Sequence, residues 1–506
     1  MNNIYIKSIV ILLFFGLIHS GCTEDFKEIN TNPNAPNQDQ IANPGPLLLE
    51  VIRGISYDHY DISINEALIL ADYKERQYLS TFDWPPSFYP FCWGFYERMR
   101  NLYTAMELAE ENELKNYQGV CLVLKSLMFQ ILTDLYGDVP YSQAVSAKSD
   151  GINFPAYDKQ EDIYAGIMSD LKKANELLDP TGATILGDIL YNSDIMKWKK
   201  FANSLRLRCL LRASGRMDPT AEMSAILNDP STYPLFEGYE DNAALQWLED
   251  FPNQFPDYQR RAGDYTRHIT VNFLTHLEDM NDPRIPLFAQ PTQASVDAGT
   301  GLEYAGVPNG IYNETDYNGG EQYQSLWGLL WTPLSDYGEL ASPTAAQSFY
   351  MTYSELQFIL AEAVEKGYIS GDAETYYMNG INAHFEYYSN RIPSNYTLPT
   401  AEDLIPDASY FTQDLVAYTG TQQERLEKIW KQKWISLCMC GYEGWSHWRR
   451  TGYPSIVAGE SSQGHIPRRI VYPISEQQVN KENYDAAVAE MGGPDTDLTR
   501  MWWDVE

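Results

Sequence analysis

The stretch that decides the fold class is Val120-Cys121-Leu122-Val123-Leu124-Lys125-Ser126-Leu127-Met128-Phe129-Gln130-Ile131-Leu132-Thr133-Asp134-Leu135-Tyr136-Gly137. Val120, Leu124, Leu127, Ile131 and Leu135 return at the spacing that lines one face of a helix. Gly137 stands where that helix must end, because a residue without a Cβ takes up left-handed backbone freely. The same period precedes it in Phe95, Met99, Leu102, Met106 and Ala109. It follows in Ile163, Ile167, Leu171, Ala174 and Leu178, behind a helix start signal running from Asp158 to Glu161. A further run, Trp198, Phe201, Ala202, Leu205 and Cys209, carries a basic stripe of Arg206, Arg208 and Arg212. In so acidic a chain these arginines are expected to pair with carboxylates across helices.

Helices joined by short turns pack as antiparallel pairs. Residues 45–215 therefore read as stacked helical hairpins of the tetratricopeptide type, with no strict repeat legible. Residues 216–345 break the pattern with Pro, Gly, Asn, Asp and Tyr, and only Thr270 to Met280 read as helix there. Long irregular stretches in compact domains are usually functional or disordered, and the aromatic content of this one argues against disorder. Helices resume over 346–506. Capping boxes are predicted at Thr352–Glu355, Thr421–Glu424 and Ser475–Gln478, and Tyr377, Ile381, His384, Phe385 and Tyr388 share a helix face. No linker divides the chain, so the expectation is one mostly α domain over 45–506, its hairpins supporting an irregular, loop-rich region.

The amino terminus carries a different message. Lys7 precedes an apolar run from Ile9 to Ile18, then Ser20, Gly21 and Cys22. Such a run is shorter than the roughly 20 apolar residues of a membrane helix and has the layout of a removable secretion signal over residues 1–21. A cysteine directly after the cleavage point resembles a bacterial lipobox, although His19 stands where leucine is usual. Cys22 is accordingly the expected lipidation site, and the turn formers of residues 22–44 read as a tether. The remaining cysteines, Cys92, Cys121, Cys209, Cys438 and Cys440, show no disulfide-like or zinc-like spacing and are expected to be small core residues.

The formal net charge of −33, −34 once Lys7 leaves with the signal, excludes nucleic acid as a partner, since phosphate backbones need a clustered cationic face. The seven histidines form no H-E-x-x-H and no pair at ligand spacing, and no serine sits in a G-x-S-x-G elbow. His447, among Trp445, Trp448, Arg449 and Arg450, reads as structural. Asp316-Tyr317-Asn318-Gly319-Gly320 lacks the spacing and closing Glu of a calcium loop. Neither a metal nor another cofactor is assigned.

Several motifs coincide in order: Asp25-Phe26-Lys27-Glu28-Ile29-Asn30-Thr31-Asn32-Pro33-Asn34, Tyr136-Gly137-Asp138-Val139-Pro140-Tyr141, Asn203-Ser204-Leu205-Arg206-Leu207-Arg208, Met351 to Ala363, Gln432-Lys433-Trp434-Ile435 running to Trp448-Arg449-Arg450-Thr451-Gly452-Tyr453-Pro454, and Ile466-Pro467-Arg468-Arg469. Together they resemble the SusD/RagB-like outer-membrane lipoproteins, in the nutrient-binding branch called SusD-like, over essentially the whole mature chain. The resemblance implies tetratricopeptide-like helix pairs supporting an irregular ligand-binding half. It also implies a cell-surface location at the outer membrane, a glycan or peptide ligand, a SusC-like TonB-dependent transporter as partner, and no catalysis. Glu24 and Asp25, just after the cysteine, resemble the surface-export signal of such lipoproteins.

A sugar ring presents an apolar C–H face and a rim of hydroxyls, so its site needs flat aromatic platforms beside a few polar groups. Two segments supply both, and they fall where the resembled family holds its ligand. Tyr73 to Tyr89 contains Arg76, Asp83, Trp84 and Tyr89, and Tyr312 to Trp331 contains Tyr323 and Trp327. Arg76, Asp83, Trp84, Tyr89, Tyr312, Tyr323, Trp327 and Trp331 are thus the candidate ligand-binding residues. The tryptophans 434, 445 and 448 read instead as core. The alternatives are a surface glycoside hydrolase working through two carboxylates and a non-catalytic helical scaffold with protein partners alone.

Overall fold

The helix read from Val120 to Leu135 runs over Lys115–Tyr136 and is stopped by Gly137, whose φ is +88°. Among the described residues it is the helix long and apolar enough to cross a membrane, yet 94% of that apolar window is buried in the protein, so it is the central helix of a core. The computed structural model describes residues 43–76, 92–251, 253–256, 267–328, 347–392, 400–462 and 464–505. The expected signal, Cys22 and nearly all of the tether lie outside these, while Gly45–Glu506 forms one compact unit.

Helices of nine residues or more carry the architecture. They are α1 (Gly45–Tyr60), α2 (Phe95–Glu111), α3 (Lys115–Tyr136), α4 (Gln160–Leu177), α5 (Ile195–Arg212), α6 (Thr220–Asn228), α7 (Val271–Asp279), α8 (Tyr353–Glu365), α9 (Ala373–Ser389), α10 (Gln422–Ser436), α11 (Gly441–Thr451) and α12 (Lys481–Glu490). Neighbours in sequence pack on one another, α2 on α3, α3 on α4, α4 on α5 and α8 on α9, with α8 also meeting α5 and α10. Among the described residues four short strands form two antiparallel ribbons: β1 (Lys74–Arg76) with β3 (Arg267–Ile269), and β2 (Ala243–Gln246) with β4 (Gln347–Met351). The expected mostly α class with an irregular middle is what forms, but α7 is not alone in that middle: α6 and the short helices Ile285–Phe288 and Gln293–Ala298 also lie within 216–345.

Local chemistry explains the ends, with three corrections. Asp158 does not start α4, because its carboxylate accepts the backbone N–H groups of Tyr141 and Ser142, both at 2.8 Å. Asp138 instead accepts from Gln160 N at 2.8 Å, so the Tyr136-Gly137-Asp138 motif ends one helix and caps the next. Thr421 and Glu424 form a complete capping box, whereas Thr352 caps α8 alone because the Glu355 carboxylate is drawn away to Arg208. The third box does not form. Pro473 is extended and the short helix Ile474–Val479 starts behind it, leaving Ser475 inside the first turn with no side-chain cap.

The arginine stripe on α5 behaves as expected. Arg208 makes a two-pronged bond to Glu355 at 2.7 and 2.6 Å, Arg212 pairs with Asp134 at 2.5 Å and with Glu443, and Arg206 pairs with Glu222. Gln130 and Tyr164 complete the polar shell, donating to Glu443 at 3.0 Å and to Asp134 at 2.6 Å. Glu443 belongs to α11, where Gly441-Tyr442-Glu443-Gly444 lets the helix lie close to its neighbours. A Cβ on Gly444 would stand 2.4 Å from the Tyr73 hydroxyl. Trp434, Trp445 and Trp448 are core, and Arg449 stacks on Trp445 at 3.7 Å. The five described cysteines are free and buried, and His447 is buried, its imidazole held neutral by desolvation and by the nearby Lys433 and Arg450.

Candidate ligand-binding site

Tyr73 links this helical core to the loop-rich half. Its ring stacks on Trp434 at 4.8 Å, its hydroxyl donates to the Trp434 carbonyl at 2.6 Å, and its edge meets Phe273 of α7. The chain leaves it as β1, paired so that Lys74 faces Ile269, Glu75 faces His268 and Arg76 faces Arg267. On the far side of β3 lies the segment 325–327. Ile269 N donates to Ser325 O at 3.2 Å, Trp327 N donates to Arg267 O at 2.8 Å, and Leu326 bridges His268. A further strip is added where Gln290 N donates to Leu326 O at 2.8 Å and Gly328 N donates to Phe288 O at 2.7 Å.

This small platform joins the roots of the two aromatic segments singled out in the sequence. Arg76 and Trp327 lie more than two hundred positions apart, yet both are in register with Arg267. Backbone ladders satisfy peptide groups that burial would otherwise leave costly, so the platform is rigid irrespective of which side chains project from it.

Tyr312 and Tyr323 project into solvent, at 59% and 44% exposure. The base of Tyr312 is held where Glu75 accepts from Gly310 N and Ser461 N donates to Gly310 O at 2.8 Å. Asn309 next to it donates to Ile69 O at 3.1 Å. Tyr323 sits in a turn fixed by Gln324, which donates to the Tyr317 carbonyl at 3.0 Å, and by Asn318, which donates to Gly306 O at 2.9 Å. Trp327 is placed differently from Tyr312 and Tyr323. It is 2% exposed with its ring against Phe273, so it anchors the platform and turns no face to solvent. Asp83, Trp84, Tyr89 and Trp331 lie outside the described residues, and for Arg76 only the backbone is described.

Sequence reading missed the buried polar groups beneath. Asp72, at φ +63°, accepts from Asn272 Nδ2 at 2.7 Å, while its carbonyl accepts from the Thr270 hydroxyl at 2.6 Å. Burial pushes the Asp72 carboxyl up to about 7 and the His268 imidazole down to about 4. Nothing local in Ala71-Asp72-Tyr73 signals this, because the partners arrive from α7 about two hundred residues later. Among the described residues no cluster of three or more His, Cys, Asp or Glu is placed to hold a metal ion, Asp316 included.

Comparison with known proteins settles the family. Residues 36–473 match the family model for SusD-like proteins, described as starch-binding and associating with the outer membrane. A SusD homologue of Bacteroides fragilis is 26% identical, with a TM-score of 0.79 over 92% of this chain and 99% of its own. A Bacteroides vulgatus outer-membrane protein assigned to nutrient binding is 28% identical, with a TM-score of 0.79 over 92% and 100%. A chitin-binding protein is 27% identical, with a TM-score of 0.72 over 92% and 100%. No curated protein sequence matches the chain. The hairpin scaffold, the loop-rich platform and these matches agree, and the chain belongs to the SusD-like family of non-catalytic, outer-membrane nutrient-binding proteins.

Proposed function

We propose that the protein is a cell-surface lipoprotein, anchored through Cys22, that captures a glycan and delivers it to a SusC-like TonB-dependent transporter. The observation that carries the glycan site is the platform, on which Arg76 and Trp327 are both in register with Arg267 and from which Tyr312 and Tyr323 project. Asp83, Trp84 and Tyr89 follow within 13 residues of Arg76 and Trp331 four residues after Trp327, so each aromatic segment has a residue rooted on the platform. Starch in the family description and chitin in a 27% identical relative support a saccharide over a peptide, although the same rings would serve either. Tethering beside the transporter raises the effective concentration of captured ligand there.

The test is titration of the purified chain with maltoheptaose, chitohexaose and a peptide digest. Trp84→Ala and Tyr323→Ala are each expected to weaken saccharide binding about tenfold with Tm unchanged, the loss of one stacked ring. Unchanged affinity in both variants removes the platform as the site, and a response to peptide alone replaces the ligand class. In cells, co-purification with a large β-barrel and release of Cys22→Ala from membranes are the matching expectations for partner and anchor.

A further inference from the structure

A cavity of about 950 Å³ opens between α2 and the loop 140–155, and none of its described lining residues belongs to β1, β3 or the segment 304–328. It lies near the upper end of the roughly 300–1,000 Å³ range of small-molecule sites. One wall is a stripe on α2. That helix buries Phe95, Met99, Leu102, Ala105 and Ala109, and the residues Tyr96, Arg100, Tyr103 and Glu107 line the cavity instead. Their spacing of four, three and four residues keeps them on one face. At about 1.5 Å per residue, the two tyrosines stand about 10 Å apart along the axis, in line with each other.

The Tyr96 ring is held in place before any ligand arrives. Tyr96 donates its hydroxyl to the Pro140 carbonyl at 2.7 Å, and its ring meets Trp93, which packs edge-on against Tyr136 at 4.9 Å. Ordering Tyr96 on binding therefore costs little. The opposite wall is rich in hydroxyl and amide groups, among them Ser142, Gln143, Ser146 and Asn153. That loop is tied down where Asp158 accepts from Tyr141 N and Ser142 N, and where Gln143 accepts from Ala156 N at 2.9 Å. Val145 in the same wall has a φ of +61°, a left-handed conformation that β-branched residues rarely adopt and that persists where surrounding structure enforces it. Charged groups of both signs reach the cavity, with acids outnumbering bases, which disfavours an anionic ligand.

We infer that this groove is a second saccharide site, in which Tyr96 and Tyr103 stack rings of a neutral oligosaccharide while the loop 142–153 hydrogen-bonds its hydroxyl rim. The inference rests on the reading of the protein as a glycan binder but assigns a place separate from the platform. Calorimetric titration of the mature chain with maltoheptaose and chitohexaose tests it, using Tyr103→Ala and, to block the groove from an exposed position, Ala147→Trp. Two saccharides per chain are expected for wild type. Both groove variants should retain one, with the platform affinity unchanged, while Trp84→Ala retains the groove site unchanged and binds at the platform about tenfold more weakly. Groove variants that bind as wild type overturn the second site alone, and loss in the groove variants with Trp84→Ala unaffected supports it while displacing the platform. Absence of any response to both probes in wild type overturns both sites together.

Discussion

The helical scaffold and the strand platform bury polar groups by opposite means. Between the helices the bonds run side chain to side chain: Arg208 to Glu355, Arg212 to Asp134, Arg450 to Glu362. In the platform they run chiefly backbone to backbone, Trp327 to Arg267 and Ile269 to Ser325. A scaffold fastened by particular side chains fails when one is removed, whereas a platform fastened by peptide groups tolerates exchange of whatever projects from it. Exposed positions such as Tyr312 and Tyr323 are thus free to follow the ligand while the fold stays fixed.

Glu443→Ala is the strongest challenge to that contrast. It leaves Arg208 with Glu355 alone and Arg212 with Asp134 alone, two buried cations short of the carboxylate they share, and breaking a buried pair in this way costs about 3–5 kcal/mol. Urea unfolding measures it, and a loss below about 1 kcal/mol would make scaffold and platform alike. Acid has the same target. Burial alone would raise the Glu443 carboxyl, but Arg208 and Arg212 outweigh it and hold it below the usual carboxylate range. A depressed acid contributes stability that is present above its ordinary value and lost as the pH falls toward the lowered one.

The platform is expected to respond to pH in the other direction. Burial lifts Asp72 to about 7 from an ordinary 3.8, so its protonated form suits the fold and stability is lost as the pH rises from about 4 to 7. Asn tolerates the left-handed backbone at this position and keeps an oxygen to accept from Asn272. The Tm difference between Asp72→Asn and wild type is expected to grow in the variant's favour from pH 5 to pH 8. A difference independent of pH would mean that Asp72 is ionised throughout.

What was legible in the sequence follows the range of the forces. A helix core face is written at intervals of three and four residues, and Phe95, Met99 and Leu102 or Val120, Leu124 and Leu127 are all buried. The arginine stripe on α5 was legible too, because an acidic chain leaves buried cations only one kind of partner. The pairing of Arg76 with Arg267 was not, since a three-residue strand in a loop-rich stretch has no period long enough to read. Trp327 and Tyr323, four residues apart, looked equivalent as aromatic platforms, but one is buried and the other exposed. Only the third dimension separates them. The tyrosine stripe on α2 was half legible: the apolar period marks the buried face of the helix and carries no signal for Tyr96 and Tyr103 on the other side.

Helix caps give the smallest effect and the finest test of local against tertiary control. Thr421 and Ser475 carry the same signature, each followed three residues later by a residue able to close a box. Thr421 accepts from Glu424 N at 3.3 Å and Glu424 accepts from Thr421 N at 2.6 Å, a reciprocal pair that needs no tertiary help. Ser475 is displaced from the cap position because Pro473 fixes extended backbone immediately before Ile474. Thr421→Ala should therefore cost about 1 kcal/mol, and Ser475→Ala should stay within about 0.5 kcal/mol, as an exposed position with no cap to lose does. Equal losses in chemical denaturation would mean that the box at Ser475 forms in solution, and that the local signal prevails over the proline in front of it.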